Sequence, residues 1–124
     1  VKAAKKRVPK LSLSLADVRS LPFRANTFDL TLCTEVLEHL DKPRLAISEA
    51  KRVSKKYCLF SAPNEPFFSL LNLLSGNYVR NLGKHPDHIN FWVKKSFTDL
   101  IQRYFTKPVI IKTSSVWIIA IGEK

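Results

Sequence analysis

The sequence predicts an α/β domain with a parallel core and an antiparallel end. Three stretches carry that expectation. "FDLTLCT" and "YCLFSAP" are short apolar runs of strand length, and "RLAISEAKRVSKK" between them repeats its apolar positions at helical spacing. A strand, a helix and a second strand imply parallel pairing through a right-handed crossover. The end, "PVIIKTSSVWIIAIGEK", reads as two β-branched strands joined by "TSS", an antiparallel hairpin.

Taken in order, residues 1–8 read as the last turns of a helix, with Val1, Ala4 and Val8 on one face and Pro9 ending it. "LSLSLAD" alternates Leu11, Leu13 and Leu15 with small residues, a period-two pattern that suits a strand near a sheet edge. "VRSLPFRANT" is a connection. After the strand ending at Thr34 the chain turns helical, and Asp41 and Pro43 mark the start of a further helix with Leu45, Ala46, Ala50 and Val53 on its buried stripe. "YCLFSAP", an unbroken apolar run, is expected to be covered on both faces. Residues 64–92 form a long excursion, an amphipathic piece near "FFSLLNLLSG" followed by the polar "NLGKHPDH". An excursion of that length after a parallel strand covers a ligand site. "KKSFTDLIQRYF" is helical again, with Ser96 as cap and Phe97, Leu100, Ile101, Tyr104 and Phe105 inward.

Composition narrows the class. A chain of 124 residues that is 45% hydrophobic reads as one globular domain or part of one, residues 1–124, rather than a disordered tail. It has no apolar run long enough to span a bilayer and no secretory leader pattern, so the expected compartment is cytoplasmic. Cys33 and Cys58 lie in apolar runs without metal-ligand spacing and read as small buried hydrophobes rather than a disulfide pair. The net charge of +11 is compatible with an anionic partner such as RNA, but basic side chains read more strongly as solvated helix faces, since no aromatic-interleaved basic motif is present. The chain begins with valine and contains no methionine, from which an N-terminal portion is expected to be missing.

The densest chemistry is "CTEVLEHLDKP", residues 33–43. On a helix Glu35, Glu38 and His39 are spaced i, i+3, i+4 and project to one side, while Val36, Leu37 and Leu40 face the sheet. Two carboxylates this close repel each other, a cost that a cation or a charged His39 relieves. The alternative is a solvated helix turn with Glu38 and His39 at the surface.

Five stretches, "ADVRSLPF", "NTFDLTLCTEVLEHLDKP", "YCLFSAPN", "HINFWVKKSFTDLI" and "WIIAIGEK", together resemble the C-terminal part of a class I S-adenosylmethionine (SAM) dependent methyltransferase, a Rossmann-like fold that ends in such a hairpin. The resemblance implies methyl transfer from SAM to an oxygen or nitrogen of a small molecule or RNA. By position it implies that Asp17 accepts a hydrogen bond from the adenine amino group, that Val18 packs and donates its backbone at the ring, and that Thr34 lines the methionine end. His39 and Glu35 become candidate bases. Two branches of the family, the ubiquinone-pathway O-methyltransferases and the small-RNA 3′-end 2′-O-methyltransferases, use E-x-x-E-H here for a divalent metal. The second takes a further histidine from a segment like "DHINFW", which makes Glu35, Glu38, His39 and His88 a ligand set for magnesium or manganese and leaves His85 as a loop residue.

The family's Gly-rich loop is absent, the three glycines being Gly76, Gly83 and Gly122, so the chain is expected to bind SAM poorly by itself. A non-catalytic methyltransferase-like module that pairs with another chain to complete its sheet is the rival reading. A different nucleotide-binding α/β fold is opposed by the terminal hairpin.

Overall fold

The computed structural model describes residues 6–7, 10 and 12–124. The helix expected over 1–8 lies outside them apart from Lys6 and Arg7, which are helical. Four strands form one mixed sheet: β1 (Phe28–Thr34), β2 (Ser54–Pro63), β3 (Ile110–Thr113) and β4 (Trp117–Glu123). Their spatial order is β1-β2-β4-β3. β1 runs parallel to β2 in a register that sets Thr34 beside Ser61, and β4 runs antiparallel to both β2 and β3. The crossover from β1 to β2 is helix α1 (Pro43–Val53); α2 (Phe67–Leu74) and α3 (Lys94–Gln102) follow β2. The parallel unit and the closing hairpin are therefore both present, and the sheet and helices have the Rossmann-like α/β form expected of the class I methyltransferase fold.

Period-two alternation places Cys58, Phe60 and Ala62 of β2 and Ile118 and Ala120 of β4 on one buried face. α1 lays Ala46, Ile47, Ala50 and Val53 against it, and α3 adds Phe97 and Ile101, with Phe105 just beyond its end. The two helices meet where Lys51 Nζ donates to the Tyr104 carbonyl and lies 5.4 Å from the centre of the Phe105 ring. Phe105 in turn covers Gly122, where an added Cβ would come within 2.6 Å of the ring. The opposite sheet face is more open: Tyr57 and Leu59 of β2 are half-buried, and Leu30 and Leu32 of β1 are exposed. The two-sided cover expected for β2 is thus complete on one face only. Both cysteines are buried and free, as expected.

Several local expectations are corrected. Residues 12–16 form no strand, and Leu13 and Leu15 are exposed, because among the described residues no strand pairs with them. The helix expected around residue 35 is reduced to a 3-10 turn at Leu37–His39. Asp41 does not cap α1, whose N-cap is Lys42 without a side-chain bond; Asp41 instead meets Arg19 at 3.4 Å. Leu45 points outward, and Ile47 takes the inner place. Ser96 is the third residue of α3 rather than its cap, where its hydroxyl bonds the Val93 backbone. The apolar side of α2 is not turned to a core: Phe67, Leu70, Leu71 and Leu74 are all exposed.

Candidate functional site

Glu35 follows β1 directly with a left-handed backbone, φ 55°, which breaks the strand and prevents a regular helix from starting. Its carboxylate accepts a 2.6 Å hydrogen bond from Ser61 Oγ on the neighbouring strand. The turn that follows drives Leu37 into the core at 0% exposure and carries Glu38 with it to 1%. Glu38 is therefore not on a wet face. Both of its carboxylate oxygens are buried without a hydrogen-bond partner. Burial, reinforced by the nearby Glu35 carboxylate and opposed by His39, raises its pKa from 4.5 to about 7.

The excursion returns over this turn and is fastened to it. Ile89 N and Asn90 N donate to the Glu38 carbonyl at 2.9 and 3.1 Å, and Asn90 Nδ2 donates to the carbonyls of Leu37 and Leu40 at 3.2 and 2.6 Å. His39 Nδ1 lies 2.9 Å from the Asp87 carbonyl. A carbonyl only accepts, so Nδ1 carries the proton and the Nε2 lone pair of the neutral ring is free. That Nε2 is 4.0 Å from Glu38 Oε1. The clasp brings the His88 ring to 4.8 Å from His39, centre to centre, while Phe68 stacks on His88 at 5.5 Å. Burial, with His85 and His39 nearby, lowers the His88 pKa and favours its neutral form.

One ligating atom each from Glu38, His39 and His88 lies within 4.8 Å of the others. Two opposite metal-ligand bonds span ~4.2 Å, so a cation requires only modest side-chain rotation. Of the four residues expected as ligands the structure brings three into one cluster; Glu35 stands beside it, engaged by Ser61. His85 is closer than a remote loop residue, its ring stacked 4.7 Å from His88.

The expected cofactor residues lie on the segment before β1 and at its end. Asp17 and Ser20 close a tight turn, and Arg19 holds the Asp17 carboxylate through its backbone N at 2.8 Å and Nη2 at 2.8 Å. The Arg19 side-chain bond is the main cause of an Asp17 pKa lowered to about 2. Val18 packs on the core, and Thr34 is exposed at the strand end. Because Arg19 also meets Asp41, this turn is tied to the chain just beyond His39. Sequence reasoning missed Ser61, Asn90 and the Asp87 carbonyl. The first was visible only as a polar residue in an apolar strand, and the others only as neighbours of His88.

Mixed sheet order and a terminal hairpin are those of the Rossmann-like class I methyltransferase fold, and comparison with known proteins agrees. The model of the methyltransferase domain family matches residues 1–61. A methyltransferase of Schizosaccharomyces pombe, itself uncharacterized, is 41% identical over 51 residues, 41% of this chain and 18% of that protein. A SAM-dependent methyltransferase from Thermotoga maritima superposes with a TM-score of 0.70 at 20% identity, covering 99% of this chain and 68% of its own. A small RNA methyltransferase gives 0.63 at 18% identity over 88% of this chain and 15% of its own. Magnesium protoporphyrin IX methyltransferase from Synechocystis PCC 6803, solved with bound SAH, gives 0.63 at 12% identity over 99% and 57%. Residues 1–61 match the methyltransferase domain family, the fold is that of the SAM-dependent methyltransferases above, and the chain spans under a fifth of the curated relative it matches.

Proposed function

We propose that the protein transfers the methyl group of SAM to an oxygen or nitrogen nucleophile of a small molecule or RNA. The observation that carries this reading is the clasped turn: Glu38, His39 and His88 converge beside Glu35 at the carboxyl end of β1, where open α/β sheets bind their ligands. The family match and the fold support it.

In this reading Asp17 accepts a hydrogen bond from the adenine amino group, Val18 packs against the ring, and Thr34 borders the methionine end. Arg19 keeps Asp17 ionised and aimed, so Asp17 acts only as an acceptor. SAM supplies an electrophilic methyl group, and the chain contributes position, exclusion of water and a place for the nucleophile's proton. His39 Nε2, with Nδ1 fixed by the Asp87 carbonyl, is one proton acceptor; Glu35 is the other.

A divalent cation, magnesium or manganese, fits the cluster. Unpartnered carboxylate oxygens at Glu38, the Nε2 of His39 and the His88 ring, whose neutral form burial favours, are the donor set such an ion requires, and the Asp87 carbonyl supplies the outer-shell bond that fixes a ligating histidine. A bound ion would lower the pKa of a coordinated hydroxyl. Glu38, His39 and His88 would hold it, leaving Glu35 as the base.

Calorimetry with SAM on this chain and on a version extended at its amino end with a Gly-rich strand-loop unit tests the reading. Weak binding by the first, and saturable binding by the second that weakens several-fold in Asp17→Ala, are expected; SAM affinity unchanged by Asp17→Ala in the folded extended protein would remove the adenine assignment, and no binding by either preparation would remove the enzyme reading. A second reading is favoured by the open side of β1, where Leu30 and Leu32 are exposed: a partner chain that adds to the sheet. Such a module would show a stoichiometric complex on sizing columns.

A further inference from the structure

Between the amino end of α2 and the segment that clasps the turn lies a cavity of about 530 Å³. Its walls are apolar, with Leu70 and Leu73 from α2, Leu82 from the loop, and Phe91 and Trp92 opposite. Three polar side chains, Glu65, Ser69 and Lys84, interrupt them. Glu65 Oε1 and Ser69 Oγ are buried and have no hydrogen-bond partner, although both residues line the space. Such atoms cost free energy unless something completes them, and a carboxylate oxygen can only accept.

The cavity has fixed walls. Gly83 has φ +78°, and its backbone runs so close to α2 that a Cβ would come within 1.9 Å of the Ser69 carbonyl oxygen. Asn72 Nδ2 donates to the Gly83 carbonyl at 3.1 Å. On the other side Glu65 N donates to the Trp92 carbonyl at 2.9 Å. The Lys84 ammonium lies 4.9 Å from the centre of the Phe91 ring, so its charge is held against a cavity wall. The space also adjoins the cluster: Phe91 is 6.5 Å from His88, and Phe68, on the same helix as Leu70 and Leu73, stacks on His88.

We infer that this cavity binds the methyl acceptor, and that the acceptor is a compact apolar molecule with one hydrogen-bond-donating head, hydroxyl or amino, seated on Glu65 and Ser69. The apolar walls take the body by removing its surface from water, and the orphaned Glu65 oxygen, which can only accept, selects a donor over an otherwise similar molecule that only accepts, while the Ser69 hydroxyl can accept from or donate to the same head. The inference rests on the methyl-transfer reading for what becomes of the ligand, but not for the binding itself.

Trp92 provides the signal. In a Trp117→Phe background its fluorescence is titrated with 4-propylphenol, 4-propylbenzylamine and 4-propylanisole, which share a body and present a hydroxyl, an ammonium or no donor. At least one of the first two should bind about tenfold or more tightly than the anisole, the discrimination expected when a buried acceptor is left unpaired. The better of the two identifies the head group. Glu65→Met and Glu65→Gln, each checked for an intact near-ultraviolet spectrum, should reduce the preference to a few-fold; if Glu65→Met does not fold, Glu65→Gln, whose amide also donates, decides. Equal affinity for all three probes, or a preference that survives both substitutions, overturns the inference. SAM calorimetry on the same preparations separates the two readings. Binding of SAM without donor selection removes the cavity assignment alone, whereas donor selection with no SAM binding by this chain or by the version extended with a Gly-rich unit keeps the cavity and removes the methyltransferase reading.

Discussion

Replacing Glu38 with glutamine should make the metal-free protein more stable, in a manner that depends on pH. The Glu38 carboxyl is 1% exposed, neither oxygen has a partner, and burial raises its pKa from 4.5 to about 7. Between those values the folded chain retains a proton that the unfolded chain has released. Stability therefore falls as pH rises through that window, and the loss is complete above about pH 7. A difference of that size corresponds to ~3 kcal/mol. Glutamine removes the ionisation and keeps the shape, so in chelator at pH 8 Glu38→Gln should exceed the parent by up to ~3 kcal/mol, while at pH 4 the two should nearly coincide. Manganese should reverse the order: a cation at a hundred times its dissociation constant adds ~2.7 kcal/mol to a protein that binds it only when folded. The parent should gain this and the variant little of it. Urea denaturation at both pH values, with chelator and with manganese, gives the four comparisons. Equal stability at pH 8 in chelator would show that Glu38 is not held as the acid; equal stabilisation of both proteins by manganese would place the ion elsewhere.

Two further outcomes follow from contacts away from the cluster. Gly83→Ala should loosen the loop over α2, because the methyl group has no room beside the Ser69 carbonyl and φ is +78°; a loss of ~1–3 kcal/mol and faster proteolysis around residues 78–84 are expected. Glu49 accepts from Leu21 N at 2.8 Å and from Arg52 Nε at 2.6 Å, and the Arg52 bond is the main reason its pKa falls to about 2. Its contribution is present above about pH 4.5 and disappears as pH falls toward 2, so Glu49→Gln should destabilise the protein at pH 7 and matter little near pH 2, as thermal melts at both values would show.

What was legible in the sequence was whatever one element determines by itself. The strands at 28–34 and 57–63, the closing hairpin and the inward Phe97, Ile101 and Phe105 follow from periodicity and length, whereas residues 54–56, read as the end of the helix, already belong to the second strand. The residues of the cluster were legible as residue types, and "DHINFW" pointed to His88. The burial of Glu38 was not, because it is imposed by Asn90 and Ile89, about fifty positions further along the chain, which bond the backbone of the turn. Helical spacing put Glu35, Glu38 and His39 on one side, but the left-handed Glu35 broke that helix and handed its carboxylate to Ser61. The leucines at 13 and 15 show the converse: an alternating pattern needs a neighbour to pair with, and their exposure follows from its absence among the described residues. α2 had a helical pattern without a partner for its apolar side, which a period cannot reveal.

The one-sided pairing of β1 also bears on how copies of this chain behave together. Of its two edges only one meets a strand among the described residues, and Leu30 and Leu32 project nearby, so the other is a ready template for a strand from outside. A charge of +11 opposes that approach at long range. Added salt shortens the reach of the repulsion, to about 10 Å at 0.1 M and about 3 Å at 1 M, while leaving the leucines as sticky as before. Colloidal stability is therefore a property of the buffer as much as of the fold, and dilute electrolyte is the condition in which the chain stays apart from its own copies.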